Sequence, residues 1–232
     1  MDRVYAIVLA GGSGSRMKSD TPKQYMVLRE KPVLYYSLRT FSQLDYIDGV
    51  ILVVSSNDDI SYVKREIIDK YQVEKVKDIT VGGEERYYFV YNGLKCIDEA
   101  DYVMIHDSAR CLIDTDTIDR VYEEVRRSNA VVAAVPVKDT IKRSDDKGYA
   151  AETLNRAQLW QIQTPQAFDF DLIMNAYRTM MADGNRTGIT DDAMVVERYT
   201  DTKVKLVMGD YRNLKITTPE DMIIAETFLS VM

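Results

Sequence analysis

The feature that most constrains this chain is an apolar run at residues 6–9 that breaks directly into Ala10-Gly11-Gly12-Ser13-Gly14-Ser15-Arg16-Met17, with Pro22-Lys23-Gln24 close behind. A short buried strand that runs into a glycine-rich loop is the opening of an α/β fold. Glycines have no Cβ, so backbone N–H groups there can close around a phosphate. Arg16 and Lys23 add the positive charge that a polyphosphate needs. Two familiar loops are excluded. A P-loop ends in Gly-Lys-Ser/Thr, whereas Gly14 is followed by Ser15-Arg16. A dinucleotide fingerprint needs a third glycine near Met17, and the loop turns basic there instead. The pattern points to a nucleoside triphosphate.

Apolar runs and helical patterns alternate along the rest of the chain. Strands are predicted at 5–10, 50–55, 79–81, 102–106, 130–135 and 203–207, and helices at 33–42, 58–71, 85–97, 116–128, 169–183, 191–199 and 219–231. Strands without strict polar alternation, separated by helices, predict a mainly parallel sheet covered on both faces. Ligands of such sheets sit at the carboxyl ends of the strands. Residues 138–158 break the rhythm: they are polar, and Asp145-Asp146-Lys147-Gly148 reads as a turn. A projecting hairpin arm is expected, and an arm that cannot bury its own faces finds cover on a second subunit, so a homodimer is expected. The 232 residues then form a single domain, 1–232, with the arm inside it.

Composition removes several function classes. The formal net charge of −7 argues against non-specific nucleic-acid binding. A single histidine, His106, rules out histidine-based metal clusters. Cys96 and Cys111 match no metal spacing and read as free thiols. No apolar run reaches membrane-spanning length and no leader pattern precedes residue 5, so a cytoplasmic protein without membrane contact is expected.

Several clusters carry chemistry. His106-Asp107-Ser108-Ala109-Arg110 closes a predicted strand. Asp107 there can hold a divalent cation or a hydroxyl, Arg110 a phosphate or a carboxylate, or the two can pair to shape the loop. His106 reads as a packed structural residue. Gly82-Gly83-Glu84-Glu85-Arg86 either offers backbone amides to a base or ribose, or simply starts a helix. Thr164 precedes Pro165 and is held extended. Thr190-Asp191-Asp192 reads as a cap with an acidic first turn, and Thr190 can offer its hydroxyl to a phosphate. Lys215 contacts a phosphate or lies on the surface.

Together these runs resemble the 2-C-methyl-D-erythritol 4-phosphate cytidylyltransferase family. The matching stretches are residues 9–17, 22–24, 82–86, 106–110, 136–143, 155–166, 190–193 and 213–221. A sister family, the ribitol-5-phosphate cytidylyltransferases, shares the N-terminal loop and Gln163-Thr164-Pro165-Gln166. Asn155-Arg156 before Leu159-Trp160, with Asp139-Thr140-Ile141-Lys142-Arg143, looks more like the erythritol branch. The resemblance implies an α/β, Rossmann-like mainly parallel sheet with helices on both faces and a protruding β-arm, of the nucleotide-diphospho-sugar transferase type. It implies transfer of CMP from CTP to the polyol phosphate with release of pyrophosphate, and Mg²⁺ or another divalent cation as cofactor. Arg16, Lys23 and Lys215 are then the catalytic cations. Ala10, Gly11, Gly12, Gly14, Gly83, Glu84 and Asp107 bind nucleotide, and Asp107 also the metal. Arg110, Thr140, Arg156, Thr164 and Thr190 bind the polyol phosphate, with Thr140 and Arg156 reaching a partner's site. Two departures stand out. Phe89 occupies a position where the family usually has serine, and Cys111 one where it usually has proline.

Overall fold

The computed structural model describes residues 2–12, 17, 19 and 21–231, so Gly14 and Arg16 lie outside the described residues. In chain order the strands and helices are β1 (Val4–Ala10), β2 (Val27–Leu28), β3 (Lys31–Pro32), α1 (Val33–Ser42), β4 (Ile47–Val54) and α2 (Asn57–Val63). A π-helical turn, Lys64–Asp69, prolongs α2. Next come β5 (Val76–Val81), α3 (Arg86–Leu94), β6 (Tyr102–Asp107), α4 (Thr115–Ser128) and β7 (Ala130–Pro136). The chain closes with β8 (Lys142–Ser144), β9 (Ala150–Thr153), β10 (Trp160–Asp169), α5 (Phe170–Asp183), α6 (Asp192–Tyr199), β11 (Lys205–Met208) and α7 (Pro219–Val231).

Seven strands form one sheet in the order β11-β7-β10-β6-β1-β4-β5. Six run parallel; β10 alone is antiparallel, to both β6 and β7. Both faces are apolar, as the unbroken hydrophobic strand runs require. Ala6, Val8 and Ala10 of β1 point into one core with Val50, Leu52 and Val54, under α1, α2 and α4. Ile7 and Leu9 point the other way, with Ile51, Val53 and Phe89, under α3, α5 and α6.

The α/β architecture, the mainly parallel sheet and its two-sided cover stand as expected from the sequence. The segment 160–169 differs: it is a sheet strand that the sequence does not announce. Its register shifts between Ile162 and Gln166, around Pro165, which has no N–H to donate. Residues 142–153 form a separate two-stranded hairpin, β8 with β9, exposed along both strands. Helix α6 also starts one residue later than expected. Asp191 is its cap, accepting from the Met194 N–H at 3.0 Å, so Thr190 does not cap it.

Candidate active site

A cleft of about 520 Å³ opens where β1, β4, β5 and β6 end. Gly11 and Gly12 continue β1, Ser55 follows β4, and Gly83 and Glu84 follow β5. Asp107 ends β6, and Lys23, Arg86, Phe89 and Lys215 complete the wall. Backbone bonds hold these strand ends in register: Gly82 N–H donates to the Val54 carbonyl at 2.8 Å and Ser108 N–H to the Leu9 carbonyl at 3.0 Å. Gly12 has a φ of +103°, a conformation that favours glycine. Lys23 Nζ donates to the Ile216 carbonyl at 3.1 Å, and Gln24 ties the loop down through Nε2 to the Ala10 carbonyl, also at 3.1 Å. Ala10 is fully buried and its carbonyl is taken by Gln24, so it shapes the start of the loop rather than facing the cleft.

Charge in the cleft is organised around two carboxylates. Asp107 accepts from Lys215 Nζ at 2.7 Å and from Arg86 Nε at 3.2 Å. Arg86 then places both terminal nitrogens on Asp192, at 2.9 and 2.8 Å. This fork is a planar, bidentate pair that fixes the guanidinium. Asp192 is wholly buried and also accepts from the Tyr177 hydroxyl at 2.6 Å. Gln166 Oε1 receives the Asp192 and Ala193 N–H groups at 3.1 and 2.9 Å, which anchors the first turn of α6. Burial alone would raise the Asp107 carboxyl, but Arg86, Lys215 and Arg110 outweigh it and hold the group well below the usual carboxylate range. Burial likewise opposes the Arg86 charge, and the Asp192 and Asp107 carboxylates reverse that effect.

A second layer lies beneath the cleft. His106 is fully buried and faces the Arg110 carbonyl through Nε2 at 3.1 Å and Thr164 Oγ1 through Nδ1 at 3.0 Å. A carbonyl only accepts, so Nε2 carries the hydrogen and Nδ1 accepts from the Thr164 hydroxyl. Thr164 Oγ1 in turn accepts the Asp107 N–H at 3.1 Å. Burial lowers the His106 pKa to about 4, so the ring is neutral at physiological pH. Arg110 donates to the Asn213 carbonyl at 2.8 Å and the Ile162 carbonyl at 3.2 Å, which pins β10 and the segment after β11 to the β6 loop.

Of the residues proposed from sequence, the fold brings Gly11, Gly12, Lys23, Gly83, Glu84, Asp107 and Lys215 to one cleft. It places others elsewhere. Thr164 is buried beneath the cleft with its hydroxyl hydrogen already engaged by His106, and Arg110 supports the loop from behind. Thr190 is exposed ahead of α6. Thr140 and Arg156 are exposed beside the hairpin, where Arg156 donates to the Lys138 carbonyl at 2.7 Å. Sequence reasoning missed Arg86 and Asp192 as a pair. The first was hidden in a helix start, the second behind a capping residue, and 106 positions separate them. The one available signal was an arginine in the first turn after a glycine pair at a strand end.

Known proteins resemble this chain over nearly its whole length. Residues 4–231 match the family model described as 2-C-methyl-D-erythritol 4-phosphate cytidylyltransferase (IspD). A protein of that name from Lachnospira eligens is 52% identical over 224 residues, covering 97% of this chain and 98% of its own. Another from Lachnoclostridium phytofermentans is 50% identical over 229 residues, covering 99% and 97%. The crystal structure of 4-diphosphocytidyl-2C-methyl-D-erythritol synthase from Anaerococcus prevotii superposes with a TM-score of 0.86 at 35% identity, covering 99% of this chain and 96% of that one.

Proposed function

The chain belongs to the 2-C-methyl-D-erythritol 4-phosphate cytidylyltransferase family, and we propose that the cleft at the ends of β1, β4, β5 and β6 is where its reaction takes place. The reaction transfers CMP from CTP to 2-C-methyl-D-erythritol 4-phosphate. A phosphate oxygen of the polyol attacks the α-phosphorus of CTP, a new P–O–P bond forms, the bond to the β-phosphate breaks, and pyrophosphate leaves. A phosphate dianion is already a nucleophile at neutral pH, so no general base is required, in keeping with a neutral, fully engaged His106.

What carries this assignment is the convergence of Lys23, Arg86 and Lys215 on a glycine-edged cleft. Positioning and neutralisation of charge at phosphorus are what such a site supplies. Lys215 and Lys23 meet the phosphates, with Arg16 as a third cation from the N-terminal loop. Gly11, Gly12 and Gly14 offer their backbone to the phosphates, and Gly83 and Glu84 face the base or ribose. Mg²⁺, which is commonly bound by one or two carboxylates plus substrate phosphates, would be held here mainly by the phosphates: Asp107 is ionised and lines the cleft, but its two oxygens already meet Arg86 and Lys215. When bound there, the ion would offset negative charge on the phosphate oxygens.

The hairpin is read as a dimerisation arm. Tyr149 is 71% exposed, and Ile141 is also exposed. A second copy would cover them, and would bring Thr140 and Arg156 to the partner's cleft, where with Arg110, Thr164 and Thr190 they would serve the polyol phosphate directly or through the loop. None of the described helices is long and apolar enough to cross a membrane. We place the enzyme in the cytoplasm, where thiols such as Cys96 and Cys111 stay reduced.

The test is pyrophosphate release from each of the four ribonucleoside triphosphates with either methylerythritol phosphate or ribitol 5-phosphate. Release is expected with CTP and methylerythritol phosphate. Turnover of ribitol 5-phosphate alone would reassign the acceptor, and no release with any pair would overturn the reading. Lys23→Ala should lower turnover on the order of a hundredfold or more, the effect of removing one preorganised donor. Light scattering should give a dimer mass.

A further inference from the structure

The two ends of the cleft differ in kind. Asp107, Lys215 and Arg86 gather at the β6 end, while Ser55, Gly83, Glu84 and Phe89 stand at the ends of β4 and β5. Phosphates require the cations, so the base of a bound nucleotide falls toward β5. There the wall is made by α3. Phe89 follows Arg86 by three residues, so both side chains leave the helix on one face, toward the cleft.

The Phe89 ring sits directly against two strand ends. A Cβ built on Gly11, after β1, or on Gly82, after β5, would overlap ring carbons of Phe89. Since β4 lies between β1 and β5, the ring spans the end of β4. It is 7% exposed and packs in the core beneath with Ile7, Leu9 and Val53. The residue is thus a rigid plug, held by backbone on two sides and by core below. It offers no hydrogen bond.

We propose that Phe89 is a specificity-determining residue that closes the base end of the cleft at a depth suited to a pyrimidine and too shallow for a purine. This rests on the reading of the cleft as the nucleotide site. A plug without polar atoms selects by size, so distinguishing cytosine from uracil falls to other groups, among them the backbone at Gly12 and Gly83 and the Glu84 carboxylate. Size selection in an apolar pocket commands roughly 10- to 200-fold.

The experiment is kcat/KM for CTP, UTP and ATP in the wild type, Phe89→Leu and Phe89→Ala, with folding checked by circular dichroism. The CTP-to-ATP ratio should fall roughly tenfold or more in Phe89→Ala and by an intermediate amount in Phe89→Leu, while the CTP-to-UTP ratio stays put. If Phe89→Ala does not fold, the leucine variant decides alone. An unchanged CTP-to-ATP ratio in the folded variants overturns the proposal. So does an equal drop against UTP, which would mean that Phe89 acts on base polarity or general positioning. A wild type that uses no triphosphate fails the nucleotide reading itself and is told apart by that result.

Discussion

The cleft and the hairpin carry the same kinds of charged side chain under opposite conditions. Behind the cleft wall, Asp192 is wholly buried and makes two bonds to Arg86 and one to Tyr177, while Asp107, in the wall, is shared by Arg86 and Lys215. In the hairpin, Arg143 meets Glu152 at 3.0 Å with the two side chains 70% and 50% exposed. Water screens the second pair and leaves both side chains free to move. In the first set water barely reaches the carboxylates, with the Asp192 side chain 0% and the Asp107 side chain 12% exposed, so the cations they hold cannot reorient cheaply. Fixed charge of this kind can act on a substrate without reorganising, whereas the hairpin's charge gains a defined geometry only when something covers it.

The most demanding test of this contrast is Asp192→Ala. It leaves Arg86 with one carboxylate partner in place of two and strips the Tyr177 hydroxyl of its acceptor. Breaking one side of a buried ion pair costs about 3–5 kcal/mol, and urea denaturation should register a loss of that size. A loss below about 1 kcal/mol, the scale of an exposed pair, would erase the distinction between the two regions.

Next in size is a pH effect from beneath the cleft. His106 is held neutral, with its pKa lowered by burial from 6.5 to about 4. Between those values the unfolded chain binds a proton that the native state refuses. The stability tied to His106 is therefore complete above about pH 6.5 and drains away as pH falls toward 4, by up to about 3 kcal/mol. Asp107 works in the adjoining window. Its lowered carboxyl contributes stability above its ordinary value of 3.8, which is lost as pH falls below it. Urea midpoints at pH 7 and pH 5 isolate the histidine. A wild type equally stable at both, or one whose pH 5 deficit survives in His106→Gln, would show that His106 is not the group responsible.

Local pattern explains what was legible in the sequence. The apolar runs that became β1, β4, β6 and β7 are long enough to be buried on both faces, and the glycines after β1 and β5 mark where the cleft opens. Strand β10 was illegible because its polar members, Gln163, Thr164 and Gln166, are buried and spent on tertiary bonds: Gln163 to the Asp210 carbonyl, Thr164 to His106 and Asp107, and Gln166 to α6. Polar residues satisfied by distant partners look like loop in a one-dimensional reading. The same blindness hid the Arg86–Asp192 pair. Its partners lie on α3 and α6, and only the packing of both helices on one sheet face brings them together. Phe89 was visible as an oddity, but its contact with Gly11 and Gly82 depends on how α3 returns across the strand ends.

The smallest expected effect lies in the hairpin. Two unit charges about 4 Å apart in water attract by about 1 kcal/mol, and ordering both long side chains offsets much of it. Arg143→Ala should therefore shift the stability of dilute, monomeric protein by no more than about 0.5 kcal/mol. Repeating the measurement at high protein concentration sharpens the comparison. If a second copy covers the hairpin, the pair is desolvated there, and the variant's deficit should grow with concentration together with the dimer population. A deficit of about 2 kcal/mol already present in the monomer would mean that this charge is held like that of the cleft. A small deficit that does not change with concentration would place the pair outside any contact between copies.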